Sequence, residues 1–125
     1  MAEEPEKIRA SEVTIVGENG ADRVILQSGP DEHASMRLLD KNGVRWAALT
    51  IGGGRGELPG YVGLNIFNGE GTAVARFGTA PGGRAMQVYL NDQQGRPRLR
   101  MGVAEDGTPS IELLDADGKV TWRAG

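Results

Sequence analysis

The chain holds one histidine, His33, and no cysteine. A zinc centre within one chain would have to rest on carboxylates, and His33 has only Asp31 and Glu32 beside it. A solvated loop histidine is the expectation. With a single histidine, Ser28, Ser35 and Ser110 have no catalytic set to join. Paired acids occur at Glu3-Glu4, Asp31-Glu32 and Glu105-Asp106, all in leader or link segments. General acid–base work needs two carboxyls facing one substrate, and this spacing suggests no cleft. We therefore assign no catalytic residue, no metal and no cofactor, and expect a protein that is not an enzyme.

Three further stretches could bind rather than react. Asp40-Lys41-Asn42-Gly43 and Asp115-Ala116-Asp117-Gly118 begin like calcium loops, which need regularly spaced oxygens and a later bidentate acid. Arg45 and Val120 stand beside the fifth position and no such acid follows, so turn formation explains both. Residues 52–60, G-G-G-R-G-E-L-P-G, are glycine-rich but lack the Gly-Lys-Ser/Thr ending of a phosphate-cradling loop. They read as a partner-contacting loop with Arg55 and Glu57 as its contact residues. Arg76, Arg98, Arg100 and Arg123 could form an anion-binding stripe, but opposite charges and amides across the strands explain them as a solvated face.

The elements that carry these residues follow from the turn signals. Gly20, Gly43, Gly71, Gly95 and Gly118 stand 23, 28, 24 and 23 residues apart. Asn42-Gly43 and Asp117-Gly118 predict two-residue hairpin turns of type I′. Seven residues before each glycine stand Val13, Met36, Leu64, Val88 and Ile111, and five before stand Ile15, Leu38, Ile66, Leu90 and Leu113. Four residues after stand Val24, Ala47, Ala75, Leu99 and Trp122, and six after stand Leu26, Leu49, Phe77, Met101 and Ala124. All are apolar in a chain that is 38% hydrophobic. Two-residue turns pair these positions, as in Val13–Leu26, Leu38–Ala47 and Leu113–Trp122, and put them on one face. Leu38 and Leu113 should then be shielded from water.

On the other face, Val16, Leu39 and Phe67 are predicted to oppose Arg23, Trp46 and Val74, with Asp40 opposite Arg45. That face is partly apolar as well, which a solvated sheet face is not. An exposed apolar patch asks for a partner, and Val16, Leu39, Trp46, Phe67 and Val74 are the expected assembly residues.

The fold expected is all-β: about ten short antiparallel strands, as five repeated hairpins of period about 23–28. Two packings close such a chain. In one, several copies turn apolar faces inward as a homo-oligomeric prism, for instance a trimer. In the other, one chain curls into an up-and-down barrel with a ligand cavity. We favour assembly because Ala47, Ala75 and Ala124 are small and few polar groups could orient a ligand. Hairpins near 23 residues are similar in period to MORN repeats and choline-binding repeats. Those families place aromatics regularly, whereas this chain has 2 Trp, 2 Tyr and 2 Phe in no shared position. Neither lipid nor choline binding is carried over.

Bulk composition agrees. The 125 residues include 20 Gly, 6 Pro and 25% charged residues, with net charge −3. That acidic balance argues against a general nucleic-acid binder. Residues 1–10 read as a flexible acidic leader and 11–125 as a single domain. The leader lacks an apolar core, so it does not read as a signal peptide. No apolar run approaches the roughly 20 residues of a membrane span. A cytoplasmic location is expected. The function expected is a non-enzymatic structural or protein-interaction module that self-assembles. The alternative is a ligand-binding β domain for an apolar molecule or a glycan, with Trp46 and Tyr89 as stacking rings.

Overall fold

A computed structural model describes residues 6–29, 33–52, 61–79 and 85–125. All regular structure within them is strand: β1 (Glu12–Val16), β2 (Asp22–Ser28), β3 (Ala34–Leu39), β4 (Arg45–Gly52), β5 (Tyr61–Phe67), β6 (Ala73–Thr79), β7 (Met86–Asn91), β8 (Pro97–Val103), β9 (Pro109–Leu114) and β10 (Val120–Ala124). They form one antiparallel sheet in sequence order, with β1 and β10 as its edges. Among the described residues there is no helix to cross a membrane.

The pairing of the apolar positions is as the spacing predicts. Val13 faces Leu26 and Ile15 faces Val24. Met36 faces Leu49 and Leu38 faces Ala47. Leu64 faces Phe77, Val88 faces Met101, and Leu113 faces Trp122.

The turns differ from the expected type. Gly43 N–H donates to Asp40 C=O and Asp40 N–H donates to Val44 C=O. The loop thus has three residues, 41–43, rather than two. Gly43 sits at φ 81°, where only glycine is comfortable. In four of the five hairpins an acidic or amide side chain three residues before the glycine supports this loop, which Gly17 to Ala21 forms without one. Asp40 Oδ1 accepts from Asn42 and Val44 N–H at 2.8 and 3.0 Å. Asn68, Asp92 and Asp115 do the same in their own turns. Such a side chain satisfies backbone donors that a type I′ turn would leave to water.

A three-residue loop alone would slip every pair beyond it. One residue in each second strand absorbs the difference as a bulge. Leu39 faces Arg45, whereas Leu38 faces Ala47, which leaves Trp46 without an opposite. Arg23, Val74, Arg98 and Thr121 are skipped in the same way. This corrects the outer-face pairs: Val16 opposes Asp22, Leu39 opposes Arg45 and Phe67 opposes Ala73. Asp40 is not opposite Arg45.

The single-chain barrel is also corrected, because the sheet stays open. Each strand packs only against its neighbours in sequence, and nothing joins β10 to β1. Eight strands already enclose an interior that side chains can just fill. Ten would enclose more than this set, with alanine at 47, 75 and 124, could occupy.

An open single layer has no interior. Among the described residues no large side chain is fully buried. Leu38 is 43% exposed and Leu113 39%, so one chain does not shield them. The accessible surface is 9005 Å². A compact monomer of this mass exposes only about 6,500 Å².

Candidate functional site

The apolar face is built by strand pairing alone. Pairs within hairpins continue across the links: Val24 faces Leu38, Leu49 faces Leu64, Phe77 faces Val88 and Met101 faces Ile111. Two rows therefore run unbroken over all ten strands, from Ile15 to Trp122 and from Val13 to Ala124. Ile51, Val62, Met86 and Val103 extend them toward the link end of the sheet. Strands lie about 4.8 Å apart, so nine intervals span about 43 Å. A strand about 20 Å long then gives a footprint of roughly 860 Å². Twelve of the twenty row residues belong to the large exposed hydrophobics, Leu64 and Phe77 at the centre among them.

The opposite face is polar at its middle and resolves its charges locally. Glu112 lies between Arg100 and Arg123, its direct neighbours across β8 and β10. Arg100 Nη2 stands 2.8 Å from Glu112 Oε1, and Arg123 Nη2 stands 2.5 Å from Oε2. Glu112 is only 8% exposed. The hydrogen bonds from Arg123 and then Arg100 hold its carboxyl below the ordinary value, against a smaller effect of burial. Arg37 donates to Gln27 at 2.6 Å.

The bulges decide the turn end of this face. A bulge re-aims its unpaired side chain, and Arg23 and Arg98 turn toward the next strands. Arg23 Nε donates to Leu39 C=O and Arg98 Nε to Leu114 C=O, both at 2.9 Å. Trp46 Nε1–H donates to Asp40 Oδ2 at 2.9 Å. Its ring lies against Gly69, where an added Cβ would meet it at 2.9 Å. The Trp46 hydrogen bond, with the Val44 and Asn42 backbone donors, lowers the Asp40 pKa. The Arg45 guanidinium caps the Phe67 ring at 4.2 Å.

Of the expected assembly residues, Val16 and Trp46 are exposed, Leu39 and Val74 are half-buried, and Phe67 is 8% exposed beneath Arg45. These five cluster at the turn end of the polar face. Arg55 and Glu57 lie outside the described residues. His33 ends a link turn, its carbonyl accepting from Gly29 N–H at 2.7 Å. Among the described residues no cluster of potential metal ligands forms. The four outer arginines do not make one stripe. Arg100 and Arg123 share Glu112, and Arg98 serves the Leu114 carbonyl. Arg76 stands between neutral Asn65 and Tyr89.

The five expected residues lie on the face opposite the twenty row residues, twelve of which are large exposed hydrophobics. No protein-family model matches the chain, and no curated protein is detectably similar to it.

Proposed function

We propose that this chain is a non-enzymatic structural or protein-interaction module that assembles with copies of itself through the apolar sheet face. Its unit is a repeated hairpin, and the assembly is a prism whose walls are single sheets with their apolar rows inward. One observation carries the reading: two uninterrupted apolar rows cross all ten strands and remain exposed in the single chain.

The magnitudes agree. A stable interface takes about 800 Å² from each partner, and the face offers roughly that footprint. At about 25 cal/mol per Å², covering it yields on the order of 20 kcal/mol per chain. Association costs about 4–15 kcal/mol, so the balance favours assembly. Small residues within the rows, Ala47 and Ala75, let opposing sheets approach closely.

The test is molar mass in solution by light scattering. A mass of two or more chains at micromolar concentration is expected. A clean monomer there removes the reading.

A further inference from the structure

The polar face carries a groove where β4 to β7 meet. The row Thr50, Gly63, Gly78 and Gln87 crosses its floor. The two central glycines put no side chain into it. Gly78 is demanded by the backbone, since a Cβ there would meet Val62 O at 2.7 Å and Gly63 Cα at 3.1 Å. Gly63 is not: its Cβ would meet nothing nearer than Arg76 Nε at 3.6 Å. Thr50, Tyr61, Asn65, Arg76, Gln87 and Tyr89 line an open cavity of about 550 Å³, within the range of small-ligand sites.

Arg76 is the anomaly of this face. Every other arginine described in a strand has a protein partner: Arg23 and Arg98 hold backbone carbonyls, Arg37 holds Gln27, Arg45 caps Phe67, and Arg100 and Arg123 hold Glu112. Arg76 has no hydrogen bond or ion pair among the described residues. Its guanidinium lies over Gly63 instead. The Asn65 amide and the Thr50 hydroxyl beside it are likewise unpartnered and only half-exposed.

We propose that this groove binds an acidic saccharide, with a pyranose ring beside Arg76 against the tyrosines and its carboxylate on the Arg76 guanidinium. Guanidinium matches carboxylate in planar, two-point geometry. The amides and hydroxyl supply the mixed donors and acceptors that sugar hydroxyls need. Tyr61 and Tyr89 offer ring faces with polar tips. An acidic peptide fits less well, because β4 to β7 have strand neighbours on both sides and leave no edge for a peptide to extend. The groove opens on the face opposite the apolar rows, so self-assembly leaves it accessible.

The experiment is calorimetric titration of the full chain with three probes: a glucuronate-containing tetrasaccharide, a neutral glucose tetrasaccharide and a glutamate-rich peptide. The acidic saccharide is expected to bind at least about tenfold more tightly than the neutral one, the worth of one charge-assisted contact. Arg76→Gln should remove that advantage, and raised salt should erode it. Tyr61→Ala removes an exposed ring from the cavity wall and should weaken binding of the acidic saccharide while circular dichroism stays unchanged. If that variant unfolds, Arg76→Gln decides alone, since Arg76 is exposed. Absent binding, equal affinity for the neutral probe, tighter binding of the peptide, or an Arg76→Gln variant that binds as well as the parent would each overturn the proposal.

Discussion

The two faces of this sheet meet opposite fates within one chain. On the polar face, Glu112 finds Arg100 and Arg123 one strand away on either side, and Arg23 and Arg98 reach carbonyls of the neighbouring hairpin. On the apolar face, Leu38, Leu64 and Leu113 touch their neighbours yet keep a large part of their surface in water. The difference is one of range. A hydrogen bond is a local contact that an adjacent strand can complete. Hydrophobic stabilisation needs water removed from above the sheet, and that requires a second layer.

The strongest way to break the contrast is to charge the apolar face. Leu64→Asp should lower assembly stability by roughly 3 kcal/mol or more per chain, since it forfeits a buried leucine and buries a carboxylate. Light scattering should show subunits where the parent shows oligomers. In a chain that stays monomeric, the same substitution is a surface change within about 0.5 kcal/mol. Arg37→Gln on the polar face serves as the control and should leave the mass unchanged.

A smaller effect is expected at the turns that set both faces. Gly118 sits at φ 84° with open space around it, so Gly118→Ala introduces strain without a clash. The cost should be about 1–2 kcal/mol, read as a lower denaturation midpoint with an unchanged m-value.

Glu112→Gln sharpens the polar side. It leaves Arg100 and Arg123 facing each other with no anion between them, and the denaturation midpoint should fall. Adding salt should narrow the gap to the parent, because screening softens arginine repulsion. An equal midpoint at low salt would show that the triad contributes nothing.

The mildest prediction concerns acid. Asp40, Asp92, Asp106 and Glu112 all have lowered pKa values in the folded chain. The unfolded chain then binds protons first, so their contribution is complete above the ordinary values of 3.8 for Asp and 4.5 for Glu. It fades as pH falls through and below those values. Stability between pH 5 and 7 should be flat as far as these groups act, and the parent should lose more below about pH 4 than Glu112→Gln does.

The strand order and the apolar register were legible in the spacing around five glycines, because side chains alternate with period two and a slip of one residue would turn the pattern over. The turn type was not read correctly, although support for the longer loop was in view: Asp40, Asn68, Asp92 and Asp115 each stand three residues before a turn glycine. Asn42-Gly43 is a two-residue signal, and Asp40, itself a turn former, overrides it by accepting from two backbone N–H groups. The longer loop and the bulge add two residues and one cross-strand pair is lost, so the same residues lie between Leu38 and Ala47 and the error cancelled beyond them. It survived only at Leu39, Trp46 and their equivalents. The groove around Arg76 was illegible, since Tyr61, Asn65 and Gln87 come from different strands and no motif joins them.

By itself, the sequence determined that this chain alternates, where it reverses, and which twenty side chains share a face; these are consequences of backbone geometry over a few residues. Only the tertiary structure decided that the sheet stays open, that bulged Trp46 and Arg98 turn toward neighbouring strands, and that Arg76 is left without a partner. Those outcomes depend on contacts between residues far apart in the chain, where distances in space follow from the register of several strands together.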